Sequence, residues 1–271
     1  MSRIQQILDK AERDGGLHRL RSIPDPDYTA PIVAAEAAAP APASHNLLSS
    51  SALVPGRTVQ DTRLDPLLVA ALAPDAPASE QYRALRLRVS HTDQESPAHV
   101  ILVTSPGRRE GKTLTAANLA LTMAQDFQRS ICIVDADLRH SRLHKVFGLS
   151  DGPGLADVLS GHSTLADALT RLDDQQVTLL AAGRASMHPA ELLGSPAMRG
   201  TIETLRSQFD RVIIDAPSAG PLADLGILTP LADQVVLVVR AGQTTKPAIH
   251  DAVATIGQTR LLGIVLNDSA G

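Results

Sequence analysis

Gly111-Lys112-Thr113 stands at the mouth of a helical pattern, directly after an apolar run and a Pro-Gly turn, in the stretch "VTSPGRREGKTLTAANLA". A strand, a glycine-bearing loop and a helix in that order are what a phosphate cradle requires. Backbone N–H groups from Gly107 to Thr113 can wrap phosphate oxygens, helped by the positive end of the following helix. Lys112, expected to face outward from the loop, would reach the β- and γ-phosphates, and the Thr113 hydroxyl would sit on Mg²⁺. The loop covers Pro106, Gly107, Arg108, Arg109, Glu110, Gly111, Lys112, Thr113 and Leu114. It departs from the usual pattern at Pro106, which takes the first-glycine position, and at the two arginines, which either add charge near phosphate or face solvent.

Carboxylates follow two further apolar runs. In "ICIVDADLRHSRLHKVFGL", Asp135 and Asp137 are two residues apart, so in an extended chain they share a face and can approach one metal ion or its water shell. A carboxylate near a γ-phosphate can also orient or deprotonate an attacking hydroxyl. In "FDRVIIDAPSAG" the apolar run ends at Asp215, a position suited to holding the metal through water. Asp224, just beyond, either contacts the site or starts a helix. Asn267 closes "LLGIVLN", and its amide either reads an adenine edge or serves a turn.

These residues need a scaffold that brings run ends together. The runs "HVILVTS", "SICIVDAD", "QVTLLAAG", "RVIIDAP", "DQVVLVVRA" and "LLGIVLN" have the two-face apolar content of parallel strands covered on both sides. Helical patterns lie between them near 113–126, 163–171, 190–207, 221–231 and 246–257. The alternation predicts a doubly wound α/β domain with a mostly parallel sheet, whose ligands bind beyond the carboxyl ends of the strands. The domain is expected over 77–271. It opens on a helix, "SEQYRALRLRV", for which Ser79 is a candidate cap. Ahead of it, 29–76 reads as an Ala/Pro-rich, disordered linker, and 1–28 as a segment with an amphipathic helix over 3–14 that is either functional or a frayed end.

Composition narrows the field. Of 271 residues, 44% are hydrophobic and 20% charged, as in a soluble globular protein, while aromatics at 2% leave the core to Leu, Val, Ile and Ala. The net charge of −4 gives no global basic field for nucleic acid. The single cysteine, Cys132, fits a reducing cytoplasm. No apolar run approaches the roughly 20 residues of a membrane span, so a membrane role would need a partner.

Taken together, the loop "VTSPGRREGKT", the "VDADLR" run end with "LHKVFGL" and "PGLADVLSG" behind it, "VIIDAPSAGPLAD" followed by "LADQVVLVVRAG", and "EQYRALR" ahead of them resemble the bacterial tyrosine kinases (BY-kinases) of capsule and exopolysaccharide synthesis. The opening "MSRIQQILDKAERDGG" resembles the soluble tyrosine-autokinase branch. The resemblance implies a P-loop fold of the MinD/ParA-like class, ATP and Mg²⁺ as cofactors and tyrosine as phosphoryl acceptor. It implies that Lys112 and Thr113 belong to the first Walker motif, and Asp135 and Asp137 to the second, one of them activating the tyrosine hydroxyl. Asp215 would be the metal-linked carboxylate, with Thr113 and Asp135 also serving the metal. It further implies a membrane polysaccharide co-polymerase as partner, recruitment from the cytoplasm to the inner face of the membrane, and a homo-oligomeric ring joined through Glu80, Arg83 and Arg86. Those three, spaced by three, otherwise form a salt-bridged solvent face. The family's C-terminal tyrosine cluster has no counterpart in "NDSAG"; the tyrosines are Tyr28 and Tyr82, of which Tyr28 is the better acceptor on position. Two other readings stand beside the kinase: an ATP-binding scaffold with little phosphotransfer, and a ParA/MinD-type switch. Gly107, where the switch proteins have their signature lysine, argues against the latter.

Overall fold

The computed structural model describes residues 55–92, 99–125, 129–220, 224–257 and 260–268. The expected N-terminal helix, Tyr28 and the part of the expected linker before residue 55 lie outside the described residues.

Eight strands follow one another in the described chain: β1 (Arg57–Val59), β2 (Val100–Thr104), β3 (Ile131–Asp135), β4 (Leu169–Leu172), β5 (Val177–Leu180), β6 (Arg211–Asp215), β7 (Gln234–Arg240) and β8 (Leu261–Asn267). They form one sheet in the order β1-β4-β5-β3-β6-β2-β7-β8. Only the β4–β5 pair is antiparallel; the rest run parallel. Every residue of β2, β3, β5 and β6 is buried, which explains their two-face apolar sequences.

The helices are α1 (Val69–Leu72), α2 (Pro77–Thr92), α3 (Lys112–Ala124), α4 (Leu143–Val146), α5 (Leu155–Leu159), α6 (Leu165–Ala168), α7 (Pro189–Leu193), α8 (Pro196–Gln208), α9 (Asp224–Leu228) and α10 (Lys246–Ile256). Alternate strand residues serve opposite faces, as the pleat dictates. Leu102, Val134 and Ile214 pack with Leu205 of α8 and Ile249 of α10 on one side. Ile101, Ile133 and Ile213 pack with Leu119 of α3 and with Phe147 on the other. Aliphatic side chains dominate both layers, as the scarcity of aromatics requires.

Four expectations need correction. The linker does not extend to residue 76: β1 pairs with β4, and Leu68 and Ala70 are buried against α3. Two short elements in a Pro-rich text carry too little periodicity to be read. The helix expected over 163–171 stops at Ala168, because Leu169 to Leu172 pair with β5. Leu165, Ala168, Leu169 and Leu172 have helical spacing, but the ladder overrides it. The helix expected over 190–207 breaks in two at Gly194, where the Ser195 hydroxyl accepts from Met198 N and caps α8. Ser79 caps nothing. It lies inside α2, buried, and donates to the carbonyls of Val69 and Ala73.

One side chain fastens the 65–76 segment to the domain. Asn118, buried on α3, donates Nδ2 to Leu67 O and Leu114 O, both at 3.0 Å, and accepts from Ala70 N at 3.0 Å. Asn118→Ala leaves the Ala70 N–H and the Leu67 carbonyl without these partners, at about 1–3 kcal/mol for each polar group left unsatisfied. The expected outcome is a melting temperature lowered by several degrees, with faster amide exchange across 67–72 than in β2 or β6. Uniform exchange in the variant would count against a clip.

Candidate functional site

Three neighbouring strands end at one place. Asp135 closes β3 and Asp215 closes β6, and the two are directly in register; Val103 of β2 faces Asp215 from the other side. The chain then turns from β2 through 105–111 into α3, whose first residue is Lys112. Fully buried parallel strands at the centre of the sheet thus deliver a lysine and three aspartates to a common end.

Lys112 reaches across the space between them. Its Nζ lies 2.8 Å from Asp137 Oδ2 and 3.7 Å from Asp215 Oδ1. Burial works against the ammonium, but Asp215, then Asp137 and Asp135, hold Lys112 above its ordinary pKa. The side chain is 11% exposed, so the expected outward-facing lysine is turned in among the acids. The carboxylates differ in their surroundings. Asp135 accepts from Asp137 N and Leu143 N, each at 3.1 Å, and so shapes its own loop and the start of α4. Asp137 accepts from His140 N at 3.0 Å besides its pair with Lys112. Asp215 is buried, and neither oxygen accepts a hydrogen bond of good geometry. Lys112 and the Thr113 hydroxyl are the groups that face it. Burial pushes both Asp135 and Asp215 well above the ordinary carboxylate range. Asp215 pushes Asp135 further, while Leu143 N–H and Lys112 counter it; Lys112 and Thr113 counter the rise at Asp215. Buried carboxylate oxygens with no donor are what a bound cation or its water would satisfy, so Asp215 and Thr113 fit a metal ion.

The loop is braced from behind by residues far away in sequence. Glu110 is buried, not a solvent-facing loop residue; its carboxylate accepts from Gly107 N at 3.0 Å and from the Thr244 hydroxyl at 2.6 Å. Asn267 donates Nδ2 to Glu110 O at 3.0 Å, so its amide holds the loop backbone. Gly111 is left-handed (φ 97°), and a Cβ there would lie 2.2 Å from Asn267 Nδ2; the tight fit accounts for the glycine. Arg109 also takes a positive φ, 63°, and Arg108 and Arg109 are exposed beside the loop. Thr244 gave no signal in the sequence, because its partner is 134 residues away. Asp224 is the first residue of α9 and grips Arg139 in a two-point pair, 2.7 and 3.2 Å, tying α9 to the loop after β3. Of the α2 trio, Glu80 is exposed and pairs with Arg83, while Arg86 donates to Thr122 O of α3 at 2.8 Å.

The chain is 33% identical over 214 residues to the tyrosine-protein kinase YwqD of Bacillus subtilis, a match that covers 78% of this chain and 90% of that one. The chain belongs to the bacterial tyrosine kinase family. A longer BY-kinase relative, the putative tyrosine-protein kinase EpsB of Ralstonia solanacearum, is 31% identical over 236 residues, 82% of this chain and only 31% of its own length. Among solved structures, the BceF tyrosine kinase domain superposes with a TM-score of 0.68 at 30% identity, covering 73% of this BY-kinase and 81% of that domain. The septum-site protein MinD of Pyrococcus horikoshii, complexed with Mg-ADP, shares the fold at a TM-score of 0.53 and 24% identity, over 62% of this chain and 69% of that one. No protein-family model matches the chain. The doubly wound P-loop fold read from the sequence is therefore the fold of this BY-kinase, with two more strands than its apolar runs announce.

Proposed function

We propose that this chain is an ATP-dependent protein tyrosine kinase, acting with a membrane polysaccharide co-polymerase in capsule or exopolysaccharide synthesis. The observation that carries the proposal is the position of Lys112, within an ion pair of Asp137 and 3.7 Å from the donor-less Asp215, where β3 and β6 end in register. ATP with Mg²⁺, when bound, supplies the phosphoryl group and a counter-charge for it. Loop N–H groups from Gly107 to Thr113 orient the phosphates, and Lys112 neutralises their charge. Thr113 and Asp215 hold the cation, with Asp135 behind them keeping the loop in shape. Asp137 would take the proton of the tyrosine hydroxyl at Oδ2 once Lys112 served phosphate in place of this carboxylate. Positioning and charge neutralisation supply most of such a rate.

Kinship with EpsB, in which the matched part is a third of a longer chain, supports a partner: a domain of this kind works beside further parts, which a membrane co-polymerase would supply and bring to the inner face of the membrane. Among the described residues, no helix is long and apolar enough to cross a membrane. Incubation of the full chain with ATP, Mg²⁺ and the cytoplasmic segment of its co-polymerase, followed by phosphosite mapping, tests the activity. Labelled tyrosine is expected on the partner or at Tyr28. Tyr82 should stay unlabelled, since its side chain is half-buried on α2 beside Thr115 and Asn118, and burial holds its pKa up. Bound ATP with no labelled tyrosine anywhere would leave a scaffold.

A ring built through α2 is also proposed. Arg86 is committed to Thr122 O within the domain, so Glu80, with a side chain 64% exposed, is the cleaner probe. Glu80→Arg is expected to lower the mass of the ATP-bound oligomer in light scattering without moving the melting temperature. An unchanged mass would reduce the trio to a helix surface.

A further inference from the structure

Beside the phosphate loop lies a cleft of about 670 Å³ whose floor includes Lys112 and Asp137. Its charge runs against that of the whole molecule. The chain carries −4, yet the cleft is lined by five cations (Arg108, Arg109, Lys112, Arg142 and Lys145) against two carboxylates, Asp65 and Asp137. Asp137 already pairs with Lys112, and Asp65 accepts from Leu67 N. Arg108, Arg109, Arg142 and Lys145 are exposed, and among the described residues none of them forms an ion pair or side-chain hydrogen bond. Two come from the phosphate loop and two from the start of α4, which Asp135 anchors through Leu143 N. Beside Thr113, His140 and Ser141 the lining has an apolar part: Leu67, 59% exposed, with Leu114 and Val146. Nucleotide phosphates need the loop N–H groups and Lys112, which leaves the α4 pair without a use on that account.

A reactive floor, an apolar wall that suits an aromatic ring and a rim of unpaired cations describe one kind of occupant. We infer that this cleft receives an extended acidic segment carrying the acceptor tyrosine, with Arg142 and Lys145 reading its carboxylates. This rests on the kinase reading for the word acceptor, but the recognition is separable from transfer. Arginine pairs a carboxylate through two parallel bonds, and lysine as a mobile point charge, so together they favour acidic flanks without fixing one sequence. Exposed pairs are individually weak, so selectivity has to come from several acting at once and must fade with salt.

The test uses the full chain with saturating ADP–Mg²⁺ and two fluorescent peptides, a phenylalanine flanked by glutamates and its glutamine counterpart. Fluorescence anisotropy should show the glutamate peptide bound at least tenfold more tightly at low salt, about 1.4 kcal/mol, with the preference lost at high salt. Arg142→Ala with Lys145→Ala should remove most of that preference and leave ADP affinity as it was. Arg142→Glu with Lys145→Glu should turn the preference toward a lysine-flanked peptide, a gain that misfolding does not mimic. Three results would overturn the inference. They are equal binding of both peptides by the parent, loss of ADP affinity in step with peptide affinity, and tighter binding of a single-stranded oligonucleotide through the same two residues. Because neither probe carries tyrosine, failure to phosphorylate a tyrosine peptide would sink the kinase reading and leave this one standing.

Discussion

Methionine at position 112 is expected to abolish phosphoryl transfer, by about three orders of magnitude or ~4 kcal/mol of transition-state stabilisation, and to weaken nucleotide binding with it. It is also expected to destabilise the protein at neutral pH. A lysine facing outward would be lost at little cost to the fold, but Lys112 is nearly buried and is the cation closest to Asp137 and Asp215. Removing one partner from a buried ion pair costs about 3 kcal/mol or more, because the other charge is stranded. The carboxylates can relieve this by taking up protons, since burial has already raised the proton affinity of Asp135 and Asp215. The deficit should therefore be large at pH 8 and shrink toward pH 5. Melting curves of parent and Lys112→Met across that range decide it. A deficit that did not change with pH would mean that Lys112 makes no electrostatic contribution to the fold. ATP bound as tightly by the variant as by the parent would displace the phosphate cradle from this loop.

Asp215→Asn should act in the opposite sense on stability while also silencing the enzyme. The Asp215 carboxyl is raised above its ordinary value, by burial first and against the pull of Lys112. A carboxyl with a raised folded pKa carries no penalty below the unfolded value, about pH 4, and a growing one as pH rises through the folded value. At pH 8 the nucleotide-free parent bears that penalty in full, and the asparagine variant is free of it. The variant is expected to melt a few degrees higher there, given about 2–4 °C per kcal/mol at this size, and to lie level with the parent near pH 4. Added Mg²⁺ and ATP should reverse the order, because the cation pairs with an aspartate and gains little from an asparagine. A variant that melts lower than the parent at pH 8 without ligand would show that Asp215 is satisfied in some way its burial does not reveal. An Asp215→Asn enzyme with full activity would remove it from the site.

The strand ends were legible because chemistry and topology coincide there. Apolar runs that stop at an aspartate, as at Asp135 and Asp215, report both a buried parallel strand and a charged group at its mouth. Lys112 was legible from the loop, although its direction was not, since the acids that turn it inward arrive from β3 and β6. The brace behind the loop was hidden for the same reason. Glu110, Thr244 and Asn267 meet only because β7 lies beside β2 and β8 beside β7, and separations of 134 and 157 residues leave no local trace. β1 and β4 failed differently. Arg57–Val59 is three residues long and largely exposed, and Leu169–Leu172 continues a helical spacing without interruption. In both, a neighbour across the sheet decides what the local sequence leaves undetermined.

The order of strands in the sheet also sets a schedule for the protein's synthesis. β2, the strand that launches the phosphate loop, is flanked by β6 and β7 and by nothing earlier in the chain. Asp215, which Lys112 faces, is residue 215 of 271. A growing chain that has already emitted the loop and α3 therefore has no strand beside β2 until β6 leaves the ribosome. Non-local parallel pairing of this kind forms late and slowly. Nucleotide cannot assist the folding of a half-made chain, and a ribosome stalled before β6 would expose the apolar faces of β2 and β3 to chaperones or to other nascent chains.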